Sequence, residues 1–191
     1  MRNLLFDVAA GAAVVLLTAC GGKEYPLETV EKVDLERYMG TSYEIASIPT
    51  SFQKGCHCTT AEYSMPKGKD YVKVLNKCRK GGLDADWDKA SGKAFVTDKI
   101  TNAKLKVQFF WPFKGKYWII GLDEEYNWAV VGHPNRNYLW ILSRTPAMDD
   151  TTYQKLVDLA AAKDFDTSNL VKADQRCYTD DNKADDAQQV M

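Results

Sequence analysis

Eight short runs between residues 42 and 144 constrain this chain more than any other feature. They cover 42–48, 58–65, 71–80, 93–98, 104–111, 116–123, 128–133 and 138–144, parted by clusters of Gly, Pro, Asn or Asp. Within them bulky apolar residues mix with polar or small ones, as in half-buried strands. The segment 66–70, Pro-Lys-Gly-Lys-Asp, supplies hairpin-loop chemistry between the second run and the third. Strands spaced this regularly predict an all-β antiparallel barrel or sandwich. One helix follows: Tyr153, Leu156, Val157 and Ala160 fall at i, i+3, i+4 and i+7, and Asp149 or Asp150 is placed to cap it. Residues 170–173 read as a last short strand.

The N-terminus is a separate object. Arg2 gives a thin basic start, and residues 8–19 form a continuous apolar and small run ending Leu17, Thr18, Ala19, Cys20. That run reaches about 18 Å as a helix, short of the roughly 30 Å of a hydrocarbon core. It has the length of an export h-region. Its ending resembles the lipobox of bacterial lipoproteins, which implies removal of a signal peptide over 1–19 and acylation of Cys20. Two or more acyl chains on one cysteine anchor a protein to a membrane stably. Gly21, rather than an aspartate, follows the cysteine, and in the Gram-negative lipoproteins it resembles this implies the outer membrane. Residues 20–33 then read as a lipidated start and polar tether, 34–178 as the domain, and 179–191 as an acidic disordered tail.

The segment from Asp34 to Pro49 narrows the fold. Gly40, followed by Tyr43, Glu44, Ile45 and Ala46, resembles the first conserved segment of the lipocalins, with Ser42 where that family carries a tryptophan. Phe52, Gln53, Lys54 and Gly55, with residues 60–64, resemble the first loop and second strand of the branch that holds the bacterial lipocalins and apolipoprotein D. Residues 123–126 occupy the place of the second conserved segment. Residues 138–146 are similar to the third, which carries an arginine, here Arg144. The resemblance runs from about residue 33 to 174. It implies an eight-stranded antiparallel up-and-down barrel (the lipocalin or calycin fold) with one C-terminal helix packed on it. In the family Arg144 would stack on the tryptophan at the closed end. With Ser42 there, it is expected to turn to carbonyls or another aromatic, and Ser42→Trp is expected to be tolerated or stabilising.

With Cys20 set aside, four cysteines remain in an exported chain, so disulfides are expected. Cys56 and Cys58 are two apart in an extended segment and share a face, and the hairpin at 66–69 brings Cys78 opposite one of them. The resemblance implies Cys58–Cys177, which leaves Cys56–Cys78. Outward cysteines turn His57, Thr59, Ala61 and Tyr63 inward. In the third run Lys73 and Lys77 mark the solvent face, so Val72, Val74 and Asn76 point in, and so does Cys78. A bulge or strong twist in the second strand is needed to reconcile that with its bridge. In the fifth run Leu105, Val107, Phe109 and Trp111 form the apolar face. The resemblance implies Tyr63, Asn76 and Trp140 as pocket residues, and Trp140 inward carries Tyr138, Leu142 and Arg144 with it.

Such a lining is apolar with few polar contacts, which suits an acyl chain whose carboxylate or phosphate stays at the mouth. The expected function is a lipid-anchored carrier of fatty acids or lysophospholipids in the outer membrane, monomeric or a weak homodimer, with no cofactor or metal. A structural protein with a self-filled barrel, or an enzyme built on such a barrel, are the alternatives. No Ser/His/Asp, paired-carboxylate or reactive-cysteine constellation is visible. Cys56-His57-Cys58 lacks the second close ligand pair of a zinc site. Net charge is -1, from 25 basic and 26 acidic residues, which gives no basic patch for a nucleic-acid partner.

Overall fold

The computed structural model describes residues 26–178. The leader over 1–19, Cys20 and the tail over 179–191 lie outside the described residues. A short helix, α1 (Leu35–Tyr38), is capped by Asp34, whose carboxylate accepts the backbone N–H groups of Glu36 and Arg37. Eight strands follow: β1 (Gly40–Ser47), β2 (Cys56–Ser64), β3 (Val72–Lys80), β4 (Trp87–Val96), β5 (Lys104–Gln108), β6 (Gly115–Leu122), β7 (Trp128–Gly132) and β8 (Leu139–Ser143). Each pairs antiparallel with the next, and β1 pairs with both β8 and β2, so the sheet closes into a barrel.

The closing seam is split. β1 pairs with β2 only from Gly40 to Tyr43, while Ala46 and Ser47 pair with Lys172 and Val171 of β9 (Val171–Lys172). The chain after β9 sits in the gap where β1 and β2 diverge. The Gln175 amide donates to the carbonyls of Glu44 and Thr59, and the Cys58 N–H donates to the Asp174 carbonyl. Disulfides join Cys58 to Cys177 and Cys56 to Cys78.

Apolar residues divide between two sides of the wall. Ile45, Ala46, Ile120, Val130 and Ile141 face outward onto α2 (Asp150–Ala161), meeting Leu156, Ala160 and Phe165. Asp149 caps α2 by accepting the Thr152 N–H at 2.9 Å. Inside, Tyr38, Tyr63, Val72, Val74, Leu105 and Ile119 fill the lower barrel. Antiparallel topology sets loops 48–55, 81–86, 109–114 and 133–138 around the open end. Loops 65–71, 97–103 and 123–127, with α1, surround the closed end.

Several expectations need correction. The tether ends earlier than residue 33, because Leu27 and Val33 are buried and the Val30 and Val33 N–H groups donate to the carbonyls of Ile119 and Thr101. The fourth strand begins at Trp87, not 93. Asp88, Lys89 and Ser91 gave no period-two signal, yet they pair with Cys78, Lys77 and Leu75 of β3. The fifth strand stops at Gln108, and Trp111 is 87% exposed at the barrel rim. Pro112 follows it and has no N–H for a ladder. Finally, β2 bulges between His57 and Thr60, with Cys58 at φ 54°. The extra residue reverses parity. Upstream of it Cys56 opposes Lys80 and shares the face of Cys78, while His57 opposes Arg79 on the outer face.

Candidate ligand cavity

The open half of the barrel encloses a cavity of about 410 Å³. Its walls are assembled strand by strand: Tyr63 and Ala61 from β2, Val74 and Asn76 from β3, Val107 from β5, Tyr117 from β6, and Trp140 and Leu142 from β8. Phe109 follows β5 and closes one side. The Phe109 ring fits because its neighbour on β4 is Gly92, where a Cβ would stand 2.8 Å from Phe109 Cδ1. Tyr138, Phe52, Phe110 and Phe113 line the mouth. The structure therefore brings Tyr63, Val74, Asn76, Val107, Phe109, Tyr138, Trp140 and Leu142 around one space.

The floor is a chain of three phenols. The Tyr117 hydroxyl lies 2.8 Å from that of Tyr38 and 2.9 Å from that of Tyr63. Burial raises the pKa of all three, that of Tyr63 to about 12, so each keeps its proton. Below the floor, Arg144 plugs the closed end. Its guanidinium donates to the carbonyls of Arg37, Tyr38 and Thr41 at 2.9–3.0 Å and to Ser42 Oγ at 3.2 Å. Lacking an indole to stack on, the arginine spans three carbonyls of the α1–β1 junction.

One side wall is polar and follows from a second bulge. β1 slips register against β8 between Glu44 and Ala46, which turns Ile45 and Ala46 out toward α2 and leaves Glu44 and Ser47 both inside. Ser47 Oγ donates to Glu44 Oε1 at 2.7 Å, and Gln53 Nε2 donates to Glu44 Oε2 at 2.6 Å. Gln53 Oε1 accepts from Trp140 Nε1 and Thr50 Oγ1, each at 3.1 Å, which fixes the amide's orientation and the tilt of the indole. Glu44 is 8% exposed. Burial raises its pKa, against the opposing pull of the Ser47 and Gln53 bonds. Asn76 Oδ1 and Thr60 Oγ1 are buried on the same lining with no hydrogen-bond partner among the described residues. At the mouth stands His133, its pKa lowered by burial, while the Lys116 side chain turns to the outer face, its Nζ 5.8 Å from the Trp118 ring centroid.

Residues the sequence did not single out as cavity lining are Glu44, Gln53, Thr60, Tyr117 and the mouth phenylalanines. Glu44 stood in plain view inside the Tyr-Glu-Ile-Ala segment, but its direction depends on a bulge that no periodicity reveals. Phe110 and Phe113 flank Trp111 and Pro112, and an aromatic cluster beside a proline was the available signal for a loop. His57, by contrast, is not in the cavity; its Nδ1 lies 3.4 Å from Asp174 Oδ2 on the outer face.

A family model described as a lipocalin-like domain matches residues 33–175. The chain belongs to the lipocalin family, whose barrels take a small hydrophobic ligand. It is 40% identical over 178 residues to the outer membrane lipoprotein Blc of Escherichia coli K12, spanning 91% of this chain and 98% of that protein. Temperature-induced lipocalin-1 of Arabidopsis thaliana is 40% identical over 78% of this chain and 83% of its own length. Mouse apolipoprotein D is 33% identical over 76% of this chain and 78% of its own. Among solved structures, insecticyanin from the tobacco hornworm Manduca sexta superposes with a TM-score of 0.62 at 20% identity, covering 78% of this chain and 87% of that one, which establishes the shared fold.

Proposed function

We propose that this protein is an outer-membrane lipoprotein that binds a single-chain amphiphile, a fatty acid or lysophospholipid, for storage or transport in the cell envelope. The observation that carries the reading is the open-ended cavity of about 410 Å³, apolar along its length and polar at isolated points. The acyl chain lies between Val74, Val107, Phe109 and Leu142, and the anionic head stays at the mouth. Each buried methylene contributes about 0.8 kcal/mol, so about fifteen of them contribute roughly 12 kcal/mol, which offsets an association cost of about 4 kcal/mol and leaves an affinity on the order of micromolar. Membrane attachment is through acylated Cys20, supported by the sequence ending at that residue and by the similarity to Blc over nearly the whole chain. The four described cysteines are all in disulfides, so none is a thiolate nucleophile, which favours binding over thiol catalysis.

Native mass spectrometry of the mature, disulfide-bonded protein tests this. A co-purified lipid, or a palmitate adduct that displaces it, is expected, and Leu142→Arg inside the cavity abolishes the adduct. A barrel that emerges empty and stays indifferent to palmitate and lysophosphatidylethanolamine would identify a self-filled, structural lipocalin instead.

A further inference from the structure

We propose that the barrel mouth is a membrane-docking surface, an aromatic rim that seats on a phospholipid bilayer with the cavity opening directly into the lipid. Among the described residues, large apolar side chains are exposed mainly at this end. Phe52 is 62% exposed, Phe110 77%, Trp111 87% and Phe113 78%, on the facing loops 48–55 and 109–114. At the closed end Met65 and Ile100 stand singly. Four large aromatic side chains exposed around one opening are costly to leave in water, whereas Trp and Phe partition well at the headgroup boundary.

Charge fits the same occupant. Lys54 follows Phe52 by two positions, and Lys114 and Lys116 follow Phe113; all three are exposed, as an anionic headgroup layer requires. Asp84 and Asp86 lie on loop 81–86, which carries no exposed large aromatic, so the contact runs through the two basic loops.

The path of the N-terminal segment gives an independent argument. Leu27 packs with Ala160 and Phe165, Lys163 Nζ donates to the Glu28 carbonyl, and Arg136 Nε of the open-end loop donates to the Lys163 carbonyl. Pro26 therefore leaves the domain on the open-end side. Cys20 is six residues upstream, and six residues extend at most about 20 Å. If Cys20 carries the acyl anchor, a point that rests on the proposed function, so short a leash holds this end of the barrel at the bilayer. Phe52, Phe110 and Phe113 also line the cavity, so a lipid passes from membrane to pocket along continuous apolar surface.

The test uses the mature chain reconstituted in vesicles of phosphatidylethanolamine and phosphatidylglycerol, with plain or brominated acyl chains. The difference in emission between wild type and Trp111→Phe isolates Trp111, which is exposed and outside the cavity lining. Docking predicts that this component is lost in brominated vesicles and recovered when Phe110→Ser and Phe113→Ser are added. Equal Trp111 emission in both vesicle types overturns the proposal. So does emission that ignores bromine but shifts with protein concentration, which would assign the rim to a second copy of the chain. The mass of the mature protein reports acylation of Cys20 separately. An unacylated chain with quenched Trp111 refutes the anchor while the docking surface stands.

Discussion

Glu44 is a carboxyl placed on the wall of an apolar cavity, and its two oxygens are already engaged by Ser47 and Gln53. Protonated, it keeps both bonds by donating to Ser47 Oγ while still accepting from Gln53. Its folded pKa lies above the ordinary value of 4.5, so its share of stability is present in full below that value and is lost as pH rises through the folded pKa. Glu44→Gln mimics the protonated form. The variant is expected to flatten the decline in urea midpoint that wild type shows from pH 4.5 upward, and parallel curves for the two proteins would show that Glu44 ionises without cost. Ser42 changes an expectation made from sequence. It is buried, it accepts from Arg144, and the space around it beside Tyr126, Trp128 and Leu142 holds only about 10 Å³. An indole there must displace Arg144 from the carbonyls of Arg37, Tyr38 and Thr41. Ser42→Trp is therefore expected to destabilise by about 1–3 kcal/mol, read as a lower melting temperature; a rise would mean that the closed end repacks around a stacked arginine. The sequence showed that Arg144 needed a substitute partner, carbonyls or another aromatic, and could not show which of the two would fill the space; it is the carbonyls of Arg37, Tyr38 and Thr41.

Two bulges decide what the strands present. Without the slip in β1, Glu44 and Ser47 would lie on opposite faces, and without the one in β2, Cys56 would turn away from Cys78. Alternation in sequence made the existence and order of the strands legible, together with the inward parity of Val72, Val74 and Asn76 in regular β3. It failed where the period breaks. It also failed at the start of β4, because a strand whose first half faces solvent with Asp88 and Lys89 carries no apolar rhythm. Gly92 sits in that strand for a reason visible only in three dimensions. A Cβ there would meet the Phe109 ring at 2.8 Å and the Gln108 carbonyl at 2.9 Å, and the carbonyl cannot swing aside as a side chain would. Gly92→Ala is expected to cost about 1–3 kcal/mol in chemical denaturation and to weaken palmitate binding, since the ring it displaces is cavity wall. Unchanged affinity alongside lost stability would place Phe109 in the scaffold and not in the binding surface.

At the scale of the whole molecule, the barrel is a closed sheet with one imperfect seam, and the C-terminal segment holds that seam together. β9 takes the half of β1 that β2 leaves unpaired, Gln175 bridges the Glu44 and Thr59 carbonyls across the gap, and Tyr178 packs edge-on to Tyr43 at 4.9 Å. Cys58–Cys177 ties this arrangement across 119 residues, whereas Cys56–Cys78 closes a loop of 22 within one hairpin. Chain entropy alone ranks them at about 5 and about 3 kcal/mol. The long bridge also keeps the seam segment in place, so the difference between them is expected to exceed the entropic one. Replacing Cys58 and Cys177 together by serine should lower the unfolding free energy more than replacing Cys56 and Cys78, and should raise hydrogen exchange at the N–H of Ala173, which is bonded to the Ile45 carbonyl, and of Cys58. Equal losses from the two pairs, with Ala173 still protected, would mean that the strand pairing alone keeps the seam shut.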